Sequence, residues 1–162
     1  MTCTRALTLL VLAIALTVGC NRQEAPKPMA GAQFRLHTEP KGAISVSQLK
    51  TTADSEVAVA GCIGGESNPW VDGMAAFVLA DETVLAHCRA ESADKNCHCP
   101  AKGLNEATVL VKFVDATGEP LPVDSRKLLS VNELDRVVVK GKAERDADGN
   151  VVIVAGGIYV RR

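Results

Sequence analysis

Apolar and polar residues alternate in five separate stretches of the chain, and turn residues bound each one. Glu56-Val-Ala-Val-Ala-Gly-Cys-Ile63 puts Val57, Val59 and Ile63 on one face, the period-two pattern of a half-buried strand. Gly64-Gly65 ends it, and Asn68-Pro-Trp-Val-Asp-Gly73 is dense in turn formers. Ala75-Ala-Phe-Val-Leu-Ala80 predicts a second strand, stopped at Asp81-Glu82 unless Thr83-Val-Leu-Ala86 extends it. Ala107-Thr-Val-Leu-Val-Lys-Phe-Val114 predicts a third, and Asp115-Ala-Thr-Gly-Glu-Pro120 a turn after it. Leu128, Leu129, Val131 and Leu134 are spaced for one or two helical turns between Asp124 and Leu134. Residues 136–143 read as a fourth strand and residues 151–160 as a fifth, with a bend or bulge at Gly156-Gly157. Asp146-Ala-Asp-Gly149-Asn joins these two as a hairpin turn, because Asp-Gly and Gly-Asn accept the positive φ such turns need. Ahead of the first strand, Ser45-Val-Ser-Gln-Leu-Lys50 predicts a short helical turn capped by Ser45.

Five strands with a helical segment between the third and fourth is the order of an OB-fold, a mainly β, five-stranded Greek-key barrel. Gly61, late in the first strand, fits it, since that strand must bend to serve both sheets. Three stretches carry a closer likeness: residues 57–65, Pro69-Trp-Val-Asp-Gly73 with Ala75-Ala-Phe, and residues 138–149 with Gly157-Ile-Tyr-Val160. Together they resemble a family of small uncharacterised bacterial exported OB-like proteins, over residues 45–162. The resemblance implies the fold and no activity. It implies a cysteine-rich loop after the second strand and a basic residue in relatives where Cys62 stands.

The N-terminus is organised differently. Arg5 is the only charge before Arg22, and residues 6–18 are apolar except for Thr8 and Thr17. This run is shorter than the roughly 20 residues of a spanning helix and follows a basic start, the layout of a signal peptide. It ends in Leu16-Thr17-Val18-Gly19-Cys20, which resembles the lipobox of bacterial lipoproteins, with Thr17 where Leu is usual. The resemblance implies cleavage after Gly19 and lipidation of Cys20. Asn21, rather than Asp, favours the outer membrane over the inner one, facing the periplasm. Several acyl chains give firm anchoring, at about 0.8 kcal/mol per buried methylene. Residues 21–42 hold Pro26, Pro28, Pro40 and mixed charges without a period, the composition of a flexible tether. The expected division is a signal over 1–19, a tether over 20–43 and the barrel over 44–162.

Charge then narrows the partners. Without the signal, 17 basic and 19 acidic residues remain, so no basic excess draws nucleic acid. Lys112, Arg126, Lys127, Arg136, Lys140, Lys142 and Arg145 alternate with acids, the pattern of a mixed solvated surface. Single-strand binding also needs aromatic platforms, and aromatics are few. The expected partners are the membrane, through the lipid, and a protein or small ligand. Trp70, in a loop, is the one aromatic singled out for ligand contact, against the alternative of a side chain folded back on the barrel mouth.

Candidate chemistry collects in one loop. Cys3 leaves with the signal and Cys20 takes lipid, which leaves Cys62, Cys88, Cys97 and Cys99. An even set in an oxidising compartment reads first as two disulfides. A bridge from Cys88 to Cys97 or Cys99 stabilises by about 2–3 kcal/mol in the chain-entropy model. The second reading is a metal site, where Cys88, Cys97 and Cys99 with His87 or His98 offer ligands to Zn or Cu. Cys97-His-Cys99 is one residue tighter than the usual zinc spacing. The third is thiol–disulfide chemistry at Cys97 and Cys99, without the βαβ pattern that normally surrounds it. Asp146-Ala-Asp-Gly-Asn150 lacks the Glu that completes a calcium loop, for Gly157 stands there. Neither a catalytic triad nor a cofactor fingerprint emerges. The expected function is a membrane-tethered, non-enzymatic binding or structural module with no cofactor and a disulfide-stapled loop, and the alternative is a Zn or Cu module.

Overall fold

The computed structural model describes residues 31–51, 55–83 and 107–161. A two-residue strand β1 (Ile44–Ser45) leads into a one-turn helix α1 (Val46–Leu49). Then follow β2 (Glu56–Ile63), β3 (Ala76–Ala80) and β4 (Thr108–Lys112), helix α2 (Ser125–Leu129), and the long strands β5 (Arg136–Arg145) and β6 (Val151–Val160).

The five long strands pair in the order β2-β3-β4-β6-β5 and close where β2 meets β5. Only β4 and β6 run parallel among these barrel pairings. This is the predicted five-stranded OB-like barrel. Its interior is filled by the residues the alternation predicts: Val57, Val59 and Ile63; Phe77 and Leu79; Val109 and Val111; Val137 and Val139; Ile153 and Ile158. Gly61 allows β2 to bend, because a Cβ there would lie 2.6 Å from the Ala80 carbonyl oxygen. The expected bulge is in β6: Lys140 pairs with Gly157 and Gly141 with Ala155, so Gly156 is the extra residue.

Each helix closes one end of the barrel. Ser45 caps α1 in a reciprocal arrangement with Gln48, as its position predicts. Val46 and Leu49 are fully buried, and Asp81 at the end of β3 holds the first turn through Ser47. Asp124 caps α2, and Leu128 and Leu129 enter the core. The Ser125 hydroxyl donates to the Ala76 carbonyl at the start of β3, 3.0 Å away. The hairpin turn after β5 is built on Asp146, whose carboxylate accepts from the backbone N–H of Asp148 and Asn150.

Residues 31–36, inside the span expected to be a tether, pack against the barrel. Phe34 packs edge-to-face on Phe113 with centroids 4.9 Å apart, and the Leu36 N–H donates to the Ile158 carbonyl. Two apolar side chains and a strand-edge hydrogen bond outweigh the polar composition around them. β1 was also not anticipated; it pairs in parallel with Val59 and Ala60 of β2.

Candidate binding groove

The arm formed by residues 31–45 shapes a concavity on the barrel. Its first part is fixed by insertion. The Arg35 guanidinium donates to the Leu129 carbonyl at 2.6 Å, and Leu36 lies over Gly157. A Cβ at Gly157 would approach the Leu36 side chain to 2.8 Å, so a larger residue there would push that side chain aside. Farther on, Glu39 pairs with Arg161 at 2.6 Å. Arg161 also pairs with Glu82 at 2.8 Å, and Glu82 with Arg136 at 2.5 Å. This chain of charges joins the arm to the ends of β3, β5 and β6. The carboxylate of Glu39, first through its hydrogen bond, raises the Arg161 pKa above its usual value. Gly42, at φ 72°, then turns the chain back into β1.

Between these fixings the arm arches away from the barrel. The space beneath it is an open groove of about 620 Å³. Leu36, Thr38, Pro40 and Ile44 form the arm wall, and Val57 and Ala58 lie on the barrel side. Lys41, Lys140 and Glu56 supply charge. None of these three forms an ion pair with a described residue. A volume in the range of 300–1,000 Å³ with mixed apolar and polar lining is typical of ligand sites.

Strand β2 lines the barrel side of the groove. Along β2, one edge carries β5 from Glu56 to Cys62. The other edge carries β1 at Val59 and Ala60 and β3 at Cys62 and Ile63. Among the described residues no strand lies beside 56–58 on that second edge. The Ala143 N–H donates to the Ser55 carbonyl, which fixes the phase of the β2–β5 ladder. Glu56 and Ala58 therefore turn their backbone polar groups away from β5, and the parallel pairing of Ile44 with Val59 has the Ile44 N–H donate to the Ala58 carbonyl.

The residues singled out from the sequence fall elsewhere. Trp70 is half-buried and folded back on the barrel end near α2. It pairs with Phe77, ring centroids 6.1 Å apart, and the Arg126 guanidinium covers it at 5.4 Å. Asp124 holds Arg126 in place; their side-chain hydrogen bond, over a small cost of burial, lowers the Asp124 pKa to about 2. Cys62 is buried on the outer side of β2, its thiol 3.2 Å from the Leu134 carbonyl oxygen. Cys20, His87, Cys88, Cys97, His98 and Cys99 lie outside the described residues, as does the predicted signal. Among the described residues no group of three or more His, Cys, Asp or Glu stands together.

Sequence reasoning missed the groove. Five of its lining residues, Leu36, Thr38, Pro40, Lys41 and Gly42, fell in the presumed tether. The signal was present: Phe34-Arg35-Leu36 alternates like a strand, and Pro40-Lys41-Gly42 is a turn followed by apolar Ile44.

No protein-family model and no curated protein matches the chain. Among solved structures it is similar to the hypothetical protein YgiW from E. coli. That likeness is at 18% identity and a TM-score of 0.40, covering 75% of this chain and 94% of that one. It is also similar to an OBody, AM1L10, bound to hen egg-white lysozyme. Here the identity is 18% and the TM-score 0.43, with 77% of this chain and 98% of that one covered.

Proposed function

We propose that this protein is an envelope lipoprotein, anchored through Cys20, whose barrel is a non-enzymatic binding module with the groove under the arm as its ligand site. The groove is the observation that carries the binding reading: it joins apolar walls and charged side chains in one concavity. A photo-crosslinking amino acid at Ala58 tests it in cells. Adducts are expected there and not from the same group at Asp148, on the distant hairpin turn. An Ala58 probe that gives no adduct under the membrane and growth conditions where the protein is abundant would overturn the reading.

The cysteine loop belongs to the same proposal as a staple. Ala80 and Thr108 are paired, so the segment between β3 and β4 leaves and returns at one rim. Cys62 is paired with Ala80 in the neighbouring strand, at that rim. This places one thiol beside the root of the loop holding Cys88, Cys97 and Cys99. Disulfides need Cα atoms within about 7 Å, a condition a rim location favours. Mass spectrometry of protein purified without reductant should find the acylated Cys20 N-terminus and four fewer hydrogens than four free thiols give. Reduced thiols with stoichiometric zinc or copper would replace the staple with a metal site.

A further inference from the structure

We infer that the groove takes a small amphipathic carboxylate, an apolar body carrying a single negative charge. This rests on the binding reading above and names its ligand class. The charge comes from the row of residues under the arch. Lys140 of β5 has Ala58 of β2 on one side and Gly157 of β6 on the other. Neither neighbour is large enough to cover a lysine side chain, and Lys140 is exposed. Lys41, also exposed, lines the same space from the arm. Neither lysine forms an ion pair with a described residue. Glu56 is the one carboxylate in the lining. Across the ladder from Glu56 stands Lys142, which is engaged by Glu144 at 3.1 Å. Two ammonium groups against one carboxylate leave an excess of one positive charge, which one carboxylate on the occupant balances.

The walls supply the rest of the ligand. Leu36, Pro40 and Ile44 line the groove and are each only half-buried. An aliphatic or aromatic body between arm and sheet takes apolar surface of all three out of water, which gives affinity without a directional bond. The size of the space, about 620 Å³, suits a small molecule. An extended polypeptide gains little here, because the pairing of β1 with β2 already uses the Ala58 carbonyl. The arch is also fixed before a ligand arrives. The Leu36 N–H donates to the Ile158 carbonyl at one margin, and Glu39 pairs with Arg161 farther on. Walls set in advance spare the ligand the cost of ordering them.

The test uses the full lipidated chain in nanodiscs and isothermal titration calorimetry, with empty nanodiscs as the blank for partition into lipid. Three probes separate body from charge: naphthoate, naphthylmethylammonium and acetate. Naphthoate is expected to bind at least about tenfold more tightly than the ammonium on the same body, the scale of one charge contact in a partly buried site. Acetate, which has the charge without the body, is expected to bind at least about tenfold more weakly than naphthoate. Lys140→Glu, an exposed change that leaves the fold intact by circular dichroism, is expected to abolish or reverse the preference between the two naphthyl probes. Lys127→Glu makes the same charge change on α2, outside the groove lining, and is expected to leave the preference as it was. Equal binding of the two naphthyl probes, or Lys127→Glu acting as strongly as Lys140→Glu, would overturn the anionic ligand. Acetate binding as tightly as naphthoate would overturn the apolar body. No probe binding, together with a macromolecular adduct at Ala58, would overturn the small carboxylate and leave the binding site standing. No probe binding with no adduct would remove both.

Discussion

Residues 31–36 and residues 37–43 belong to one arm and meet the barrel in opposite ways. The first stretch is fitted into it: Phe34 against Phe113, Leu36 over Gly157, Arg35 on the end of α2. The second is held only at its margins, by Glu39 on Arg161 and by the turn at Gly42, and spans open space between them. The difference lies in the side chains. Phe34 and Leu36 reach the core surface, whereas Thr38 is short and Pro40 has no N–H to give to a neighbouring strand. A segment can thus be core at one end and the wall of a cavity a few residues later. The far end of the arch is fixed by Asp81, which accepts from the backbone and hydroxyl of Ser47 in α1 and of Thr83.

If that contrast is right, substitutions along the arm should grade steeply. Phe34→Ala should cost most, about 3 kcal/mol by urea denaturation, since it empties a site packed on the core. A loss near zero would mean that the arm is not part of the folding unit. Asp81→Ala should cost about 2 kcal/mol at pH 7. Burial pushes this carboxyl up, but the backbone N–H groups of Thr83 and Ser47 and then their hydroxyls outweigh it, leaving a pKa of about 2. A depressed pKa contributes stability above the unfolded value of about 4 and loses it as the pH falls toward 2. The wild type should show that acid-side loss, and the alanine variant should lack it. Glu39→Gln, a partly exposed pair, should cost only about 0.2–1 kcal/mol. Its sharper readout is hydrogen exchange: amides 38–42 should exchange faster while the Leu36 amide keeps its protection. Lys140→Glu should change stability by less than about 0.5 kcal/mol, because it alters the groove and not the packing.

The alternation in the chain made the barrel legible. Each predicted strand is present within a few residues, because period-two burial is a local property of a sheet with one wet face. The helix cap at Ser45 and the turn at Asp146 were legible for the same reason, being satisfied within a few residues. The arm was not. Its two anchoring residues are isolated among prolines and charges, and their partners Phe113 and Ile158 lie far away in sequence. Gly157 was recognisable as the mark of a bulge, but the clearance it gives Leu36 is visible only in three dimensions. The groove is built from residues 36–44, 55–58 and 140, three stretches with no common motif. Trp70 drew notice because tryptophan in a polar loop is conspicuous; the loop turns it inward onto Phe77.

The pairing of β2 with β5 has a kinetic consequence. Every partner in that ladder is more than seventy positions away along the chain. The β5–β6 hairpin, joined by a tight turn, can form early and locally, but the seam at β2 must wait for a long loop to close. The groove floor lies on that seam, and its wall docks on β6. The groove is therefore assembled last, once the barrel beneath it is shut.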